Sequence, residues 1–96
     1  MSLQIEARHH KIVLEILGPL ASQTVVFGSR AKHNAKPLSD LDLAIKAPIE
    51  QQELARLKSA FEDSNLPYKV DLVLLSQLDA NFLRLVEKDF VPLTAC

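Results

Sequence analysis

One cysteine in 96 residues, at the last position, excludes an internal disulfide framework and a multi-cysteine metal site. Cys96 is expected to be an inert, exposed thiol, since no activating base lies near it in sequence. Glycine contributes two residues and proline five, and the chain contains no repeat, low-complexity tract or linker. No apolar run approaches the ~20 residues of a membrane span. Residues 1–17 include Glu6, Arg8, His9, His10, Lys11 and Glu15, which excludes a secretory h-region. There is no excess of charge either: eleven basic and twelve acidic side chains leave a net −1. That balance weighs against a general nucleic-acid coat, which needs a basic excess or stripe. What is present, 48% hydrophobic and 24% charged residues, describes one cytoplasmic globular domain over residues 1–96. Folding such a short chain buries roughly 60% of its unfolded surface, so the core is small.

The elements read in the order α-β-(short α)-β-α-β-α-β, an α/β (α+β) domain with a small mixed sheet of three to four strands flanked by helices. Residues 3–17 form a helix stopped by Gly18-Pro19. Its apolar residues make two sets, Leu3/Ala7/Leu14/Leu17 and Ile5/Ile12/Ile16, where one core-facing stripe would suffice. A second buried face and crowded packing both explain them. Thr24–Phe27 is a short β-branched strand ending at Gly28. A basic connection with no acid follows from Ser29 to Ser39. Residues 40–46 alternate, with Asp40, Asp42, Ala44 and Lys46 on one face and Leu41, Leu43 and Ile45 on the other. Pro48 suits a first helical turn, and Leu54, Leu57 and Phe61 mark a helix over 49–64. Residues 69–75 are the strongest strand signal. Ser76 and Asp79 match a capping box opening a helix whose apolar face holds Leu78, Phe82, Leu85 and Val86. Phe90–Leu93 is a last strand, confined to an edge by Pro92.

Chemistry concentrates in the middle of the chain. Asp40 and Asp42 project from one face of a strand, and two carboxylates so close repel unless a cation lies between them. Oxygen ligands on a rigid strand suit Mg²⁺, which keeps its waters and recruits substrate phosphates. A third carboxylate, Asp71, would permit two ions, the arrangement that clamps an in-line phosphoryl displacement. Gly28 permits a tight turn, while Ser29 offers a hydroxyl and begins a short helix whose N–H groups face an anion. Arg30, Lys32 and Lys36 follow closely. Gly28 ends its strand, whereas Asp40 and Asp42 open theirs, so the two strands must run antiparallel to meet. Asp71 also opens its strand, which should run parallel to 40–46 with helix 49–64 as the crossover.

Phe27-Gly28-Ser29-Arg30-Ala31, ten residues from Arg30 to Ser39, then Asp40-Leu41-Asp42-Leu43 and the later Val70-Asp71-Leu72-Val73, resemble the minimal nucleotidyltransferases of the DNA polymerase β superfamily. The resemblance covers nearly the whole chain and implies the polymerase β-like nucleotidyltransferase fold. It implies that Asp40 and Asp42 bridge two Mg²⁺ ions and that Asp71 holds the catalytic one and helps deprotonate the attacking hydroxyl. It implies Ser29 on the β- and γ-phosphates of ATP, with Arg30 as a secondary phosphate contact; Lys32 is read as a further one from its position between Gly28-Ser29 and Asp40. The resemblance also implies transfer of AMP to a hydroxyl, with an all-helical HEPN-type partner protein in a toxin–antitoxin pair as the acceptor. Where relatives carry a basic residue and glycine, this chain has Lys32-His33-Asn34, and Asn34 is expected to take the left-handed turn.

Other polar residues have ordinary explanations. Asp63 and Asp89 end helices, His33 is a solvated loop residue, and His9 and His10 diverge on a helix as surface or partner-facing side chains. Two further functions fit the same motifs. One is a catalytically weak nucleotide-binding module that neutralises a helical partner, and the other is an aminoglycoside-like small-molecule nucleotidyltransferase. So small a domain is expected to borrow a wall of its site from a partner or a second copy, with helix 3–17 as the docking face.

Overall fold

A computed structural model describes residues 3–95; Cys96, and the expectation attached to it, lie outside them. The elements are α1 (Ala7–Leu17), a 3-10 segment (Gly18–Gln23), β1 (Thr24–Phe27), α2 (Ser29–Lys32), β2 (Leu41–Ile45), α3 (Gln51–Glu62), β3 (Val70–Leu74), a 3-10 turn (Leu75–Gln77), α4 (Ala80–Val86) and β4 (Val91–Pro92). The sheet order is β3-β2-β1-β4. β1 runs antiparallel to β2 and to β4, while β2 and β3 are parallel and joined through α3. The mixed sheet is the one required to bring Gly28 to the aspartates.

Alternation along each strand divides the core in two. Val26, Leu41, Leu43, Ile45, Leu72 and Leu74 face Val13 and Leu17 of α1 and Leu54, Leu57 and Phe61 of α3. Val25, Phe27 and Ala44 occupy the other face, with Val73, Val86 and Phe90 packed on them. β4 lies at an edge, where Pro92 has no inner ladder bond to donate. Among the described residues no helix is long and apolar enough to cross a membrane.

Several boundaries move for identifiable reasons. The first helix starts at Ala7 because Gln4 is committed elsewhere. Its N–H donates to the Arg30 carbonyl at 3.0 Å and its side-chain amide exchanges two hydrogen bonds with Ala35, at 2.7 and 2.9 Å. Pro48 precedes α3 instead of entering it, since the helix begins at Gln51. Ser76 belongs to a 3-10 turn, and Asp79 is itself the cap of α4, accepting from the N–H groups of Asn81 (3.0 Å) and Phe82 (3.3 Å). His33, not Asn34, takes the left-handed conformation, at φ 61°.

The histidine pair departs from a surface role. His9 is buried, with Nδ1 3.3 Å from the Glu6 carboxylate and its ring edge-on to Tyr68 at 5.4 Å. His10 Nε2 lies 2.7 Å from the Leu93 carbonyl and ties α1 to the C-terminal end. Members of both apolar sets are drawn inward: Leu3, Leu14 and Leu17 of one and Ile5 and Ile16 of the other pack in the core, while Ala7 is exposed and Ile12 half-buried outside it. The helix is therefore crowded, not doubly exposed. Among the described residues the large exposed apolar side chains are Leu38, Phe82 and Leu85, none of them on α1.

Candidate active site

Strand register assembles the acidic residues. Asp42 of β2 pairs with Phe27 of β1 on one side and with Asp71 of β3 on the other. Cross-strand partners share a face, so the Asp42 and Asp71 carboxylates stand side by side. Asp40, two residues before Asp42 and just outside β2, joins them at the same end of the sheet.

Gly28 lies directly under this group. Its φ of +74° is the left-handed region that favours glycine, and a Cβ built there would collide with Oδ2 of Asp42. Two constraints thus require the glycine of the Gly-Ser pair, one of conformation and one of space. Ser29 opens α2, whose first turn leaves the N–H groups of Ser29 and Arg30 without helical acceptors. The turn is fixed by the N–H groups of Ala31 and Lys32, both 3.2 Å from the Gly28 carbonyl.

The electrostatics match the crowding. Asp42 is pushed up to about 6, first by burial and then by the charges of Asp71 and Asp40. Among the described residues no lysine or arginine forms an ion pair with any of the three. Among the described residues no three histidine, cysteine or acidic side chains are drawn together closely enough to hold a metal ion by themselves. An open, uncompensated group of carboxylates fits a hard divalent cation that completes its shell with water and substrate oxygens, as Mg²⁺ does. Asp40, Asp42 and Asp71 are the residues that would hold it.

Arg30 is the candidate the fold takes away from the turn. It is buried, and its guanidinium donates to the carbonyls of Gln4 (2.9 Å), Pro37 (3.1 Å) and Ser39 (2.9 and 3.2 Å). The guanidinium carbon also lies 3.9 Å from the Tyr68 ring centroid. Four hydrogen bonds and a stacked ring make it a clamp on residues 33–40, in place of the phosphate contact that the resemblance implies. Lys32 is about half exposed and pairs with Asp89 at 3.5 Å, close to the turn.

A cavity of about 360 Å³ opens between α3 and β3, lined by Lys58, Phe61, Leu66, Lys69 and Asp71 among others. A larger hollow of about 470 Å³ lies between residues 4–9 and the 35–38 loop. None of the three aspartates lines it, and of the three only Asp71 reaches the smaller one, whose walls come from α3 and β3 on the sheet face opposite Phe27 and Asp42. In the sequence Phe82 reads only as part of a helix face. The fold brings its ring, and that of Phe90, against Phe27, the register partner of Asp42. The readable signal was the position of Phe27, one residue before the Gly-Ser turn and on the face of its strand that the antiparallel pairing shares with Asp42.

Comparison with known proteins identifies the family. The family described as polymerase beta, nucleotidyltransferase, matches residues 21–93. A protein of Haemophilus influenzae described as "Probable protein adenylyltransferase MntA" is 40% identical over 93 residues, spanning 93% of this chain and 82% of its own.

Proposed function

The chain belongs to the polymerase β nucleotidyltransferase family, and from that premise we propose that it transfers AMP from ATP to a hydroxyl of a partner protein. The observation that carries this is the register that sets Asp42 between Asp71 and the Gly28 turn. The general activity, nucleotidyl transfer, is that of the family; AMP and a protein acceptor are supported by the description of the Haemophilus relative.

Each residue then has a task. Gly28 lets the triphosphate approach the backbone, and the Ser29 hydroxyl and N–H bind its β- and γ-phosphates. Lys32, held near the turn, adds a cation there. Asp40, Asp42 and Asp71 hold two Mg²⁺ ions, which when bound neutralise charge on the reacting and departing phosphates. Asp71, exposed on the edge strand β3, takes the proton of the incoming hydroxyl. The hydroxyl oxygen forms a bond to the α-phosphorus as the bond from that phosphorus to the β-phosphate oxygen breaks, and pyrophosphate leaves. The acceptor that fits the family resemblance is a small all-helical HEPN-type protein. This chain is then the antitoxin half of a two-component system in the cytoplasm.

The test is incubation with Mg²⁺, such a partner, and ATP labelled at either the α- or the γ-phosphate. Only α-label should reach the partner, and Asp42→Ala should stop transfer while the chain stays folded. Transfer that survives Asp42→Ala refutes the site. No transfer, with a complex that forms regardless of the substitution, makes the chain a binding module.

A further inference from the structure

The sheet face that carries the carboxylates also carries an aromatic cluster. Phe27 stands beside Asp42 in register and on the same face. Phe82 of α4 meets it edge-on with ring centroids 6.3 Å apart, and Phe90 meets it at 5.9 Å. Phe27 is buried, yet Phe82 is 42% exposed and Leu85, three residues further along α4, is 69% exposed. The cluster also borders the Gly-Ser turn, because Lys32 of α2 pairs with Asp89, the neighbour of Phe90. Phe82, packed on Phe27, thus presents exposed apolar surface on the sheet face that carries the carboxylates, and no residue of α4 is buried.

The direction of the reaction decides what that surface meets. In-line displacement sets the entering hydroxyl and the leaving pyrophosphate on opposite sides of the α-phosphorus. This inference rests on the reading above, with pyrophosphate at Gly28–Ser29 and the hydroxyl at Asp71. The reaction line then crosses the sheet end from β1, over β2, to β3. The nucleoside hangs from the α-phosphate off that line; Phe27 is buried and out of its reach, whereas the exposed ring of Phe82, packed on Phe27, is open to it. We infer that the nucleobase stacks on Phe82, whose ring is braced by Phe27, while Leu85 extends the apolar shelf. Every base has a π-face, so such a platform strengthens binding of nucleobases as a class, with purines favoured by their larger area.

Calorimetric titration with Mg²⁺–ATP and with Mg²⁺–tripolyphosphate separates the base from the phosphates. The wild-type chain should bind ATP more tightly than tripolyphosphate. Phe82→Ala should weaken ATP by roughly tenfold or more and leave tripolyphosphate unchanged, and Phe82→Tyr should retain the wild-type difference. Unchanged ATP affinity in Phe82→Ala overturns the inference, including the case in which the variant instead loses a protein partner. A loss common to both ligands overturns it too, because Phe82 would then support the turn and not the base. A wild-type chain that binds the two ligands equally removes the platform alone; one that binds neither removes the nucleotidyl-transfer reading itself.

Discussion

Replacing Gly28 by alanine would impose two costs at one position, a left-handed backbone and a methyl group driven into the Asp42 carboxylate. The expected destabilisation is about 1–3 kcal/mol. At roughly 4–8 °C per kcal/mol for a domain of this size, it is readily seen in a thermal melt. Transfer activity should fall further than stability does, since Asp42 must move. Asp42 makes a second prediction. Its carboxyl lies near 6 in the folded chain and near 3.8 in the unfolded one. Between those values the folded state holds more protons, so this group's contribution to stability falls as pH rises through the window and returns as pH drops below it. Without divalent metal, Asp42→Asn should therefore melt above wild type at pH 7.5, with the gap opening between about pH 4 and 6 and constant above. Solvent screening of a half-exposed carboxylate limits the gain to a few degrees. An Asp42→Asn melt equal to or below wild type at pH 7.5 would contradict the crowding. The carboxylate spacing was legible because period-2 alternation dictates it. The burial of His9 was not: an adjacent histidine pair on a helix reads as surface until Tyr68, 59 positions later, supplies the ring that covers one of them.

Among the elements, the 33–40 loop shows best where one-dimensional reading stops. Its basic composition describes a solvated, phosphate-facing connection, and Lys32 and Lys36 are indeed exposed. Arg30 belongs to the same run of charges, yet it is buried under carbonyls that the sequence places seven to twenty-six positions away. Only the crossing of residue 4 over α2 reveals that role. Lysine cannot reproduce the guanidinium fork. Arg30→Lys should cost about 2–4 kcal/mol in urea denaturation. Because the clamp ends at Ser39, next to Asp40, the same change should also weaken metal binding. A variant with wild-type stability would show that the buried fork is not what holds the loop. The start of α1 was misplaced for a related reason. Helical periodicity continues back to Leu3, but Gln4 finds its partners outside the helix.

At the scale of the molecule, the arrangement of the sheet was legible from chemistry before packing. A turn at the end of one strand and carboxylates at the start of the next can meet only in an antiparallel pair, and β1 and β2 form one. The face available to other molecules was less legible. Most apolar residues of α1 pack in the core, and among the described residues the large exposed ones lie on α4 and at Leu38. Everything functional then depends on one claim, that three unpaired carboxylates at one end of the sheet form a divalent-metal site with a bound triphosphate. Electron paramagnetic resonance of Mn²⁺, titrated with a non-hydrolysable ATP analogue present, tests that claim most directly. The wild-type chain should bind two Mn²⁺ ions that require the analogue for full occupancy, and Asp42→Asn should lose both. Equal Mn²⁺ binding by wild type and Asp42→Asn, or none by wild type, would contradict it.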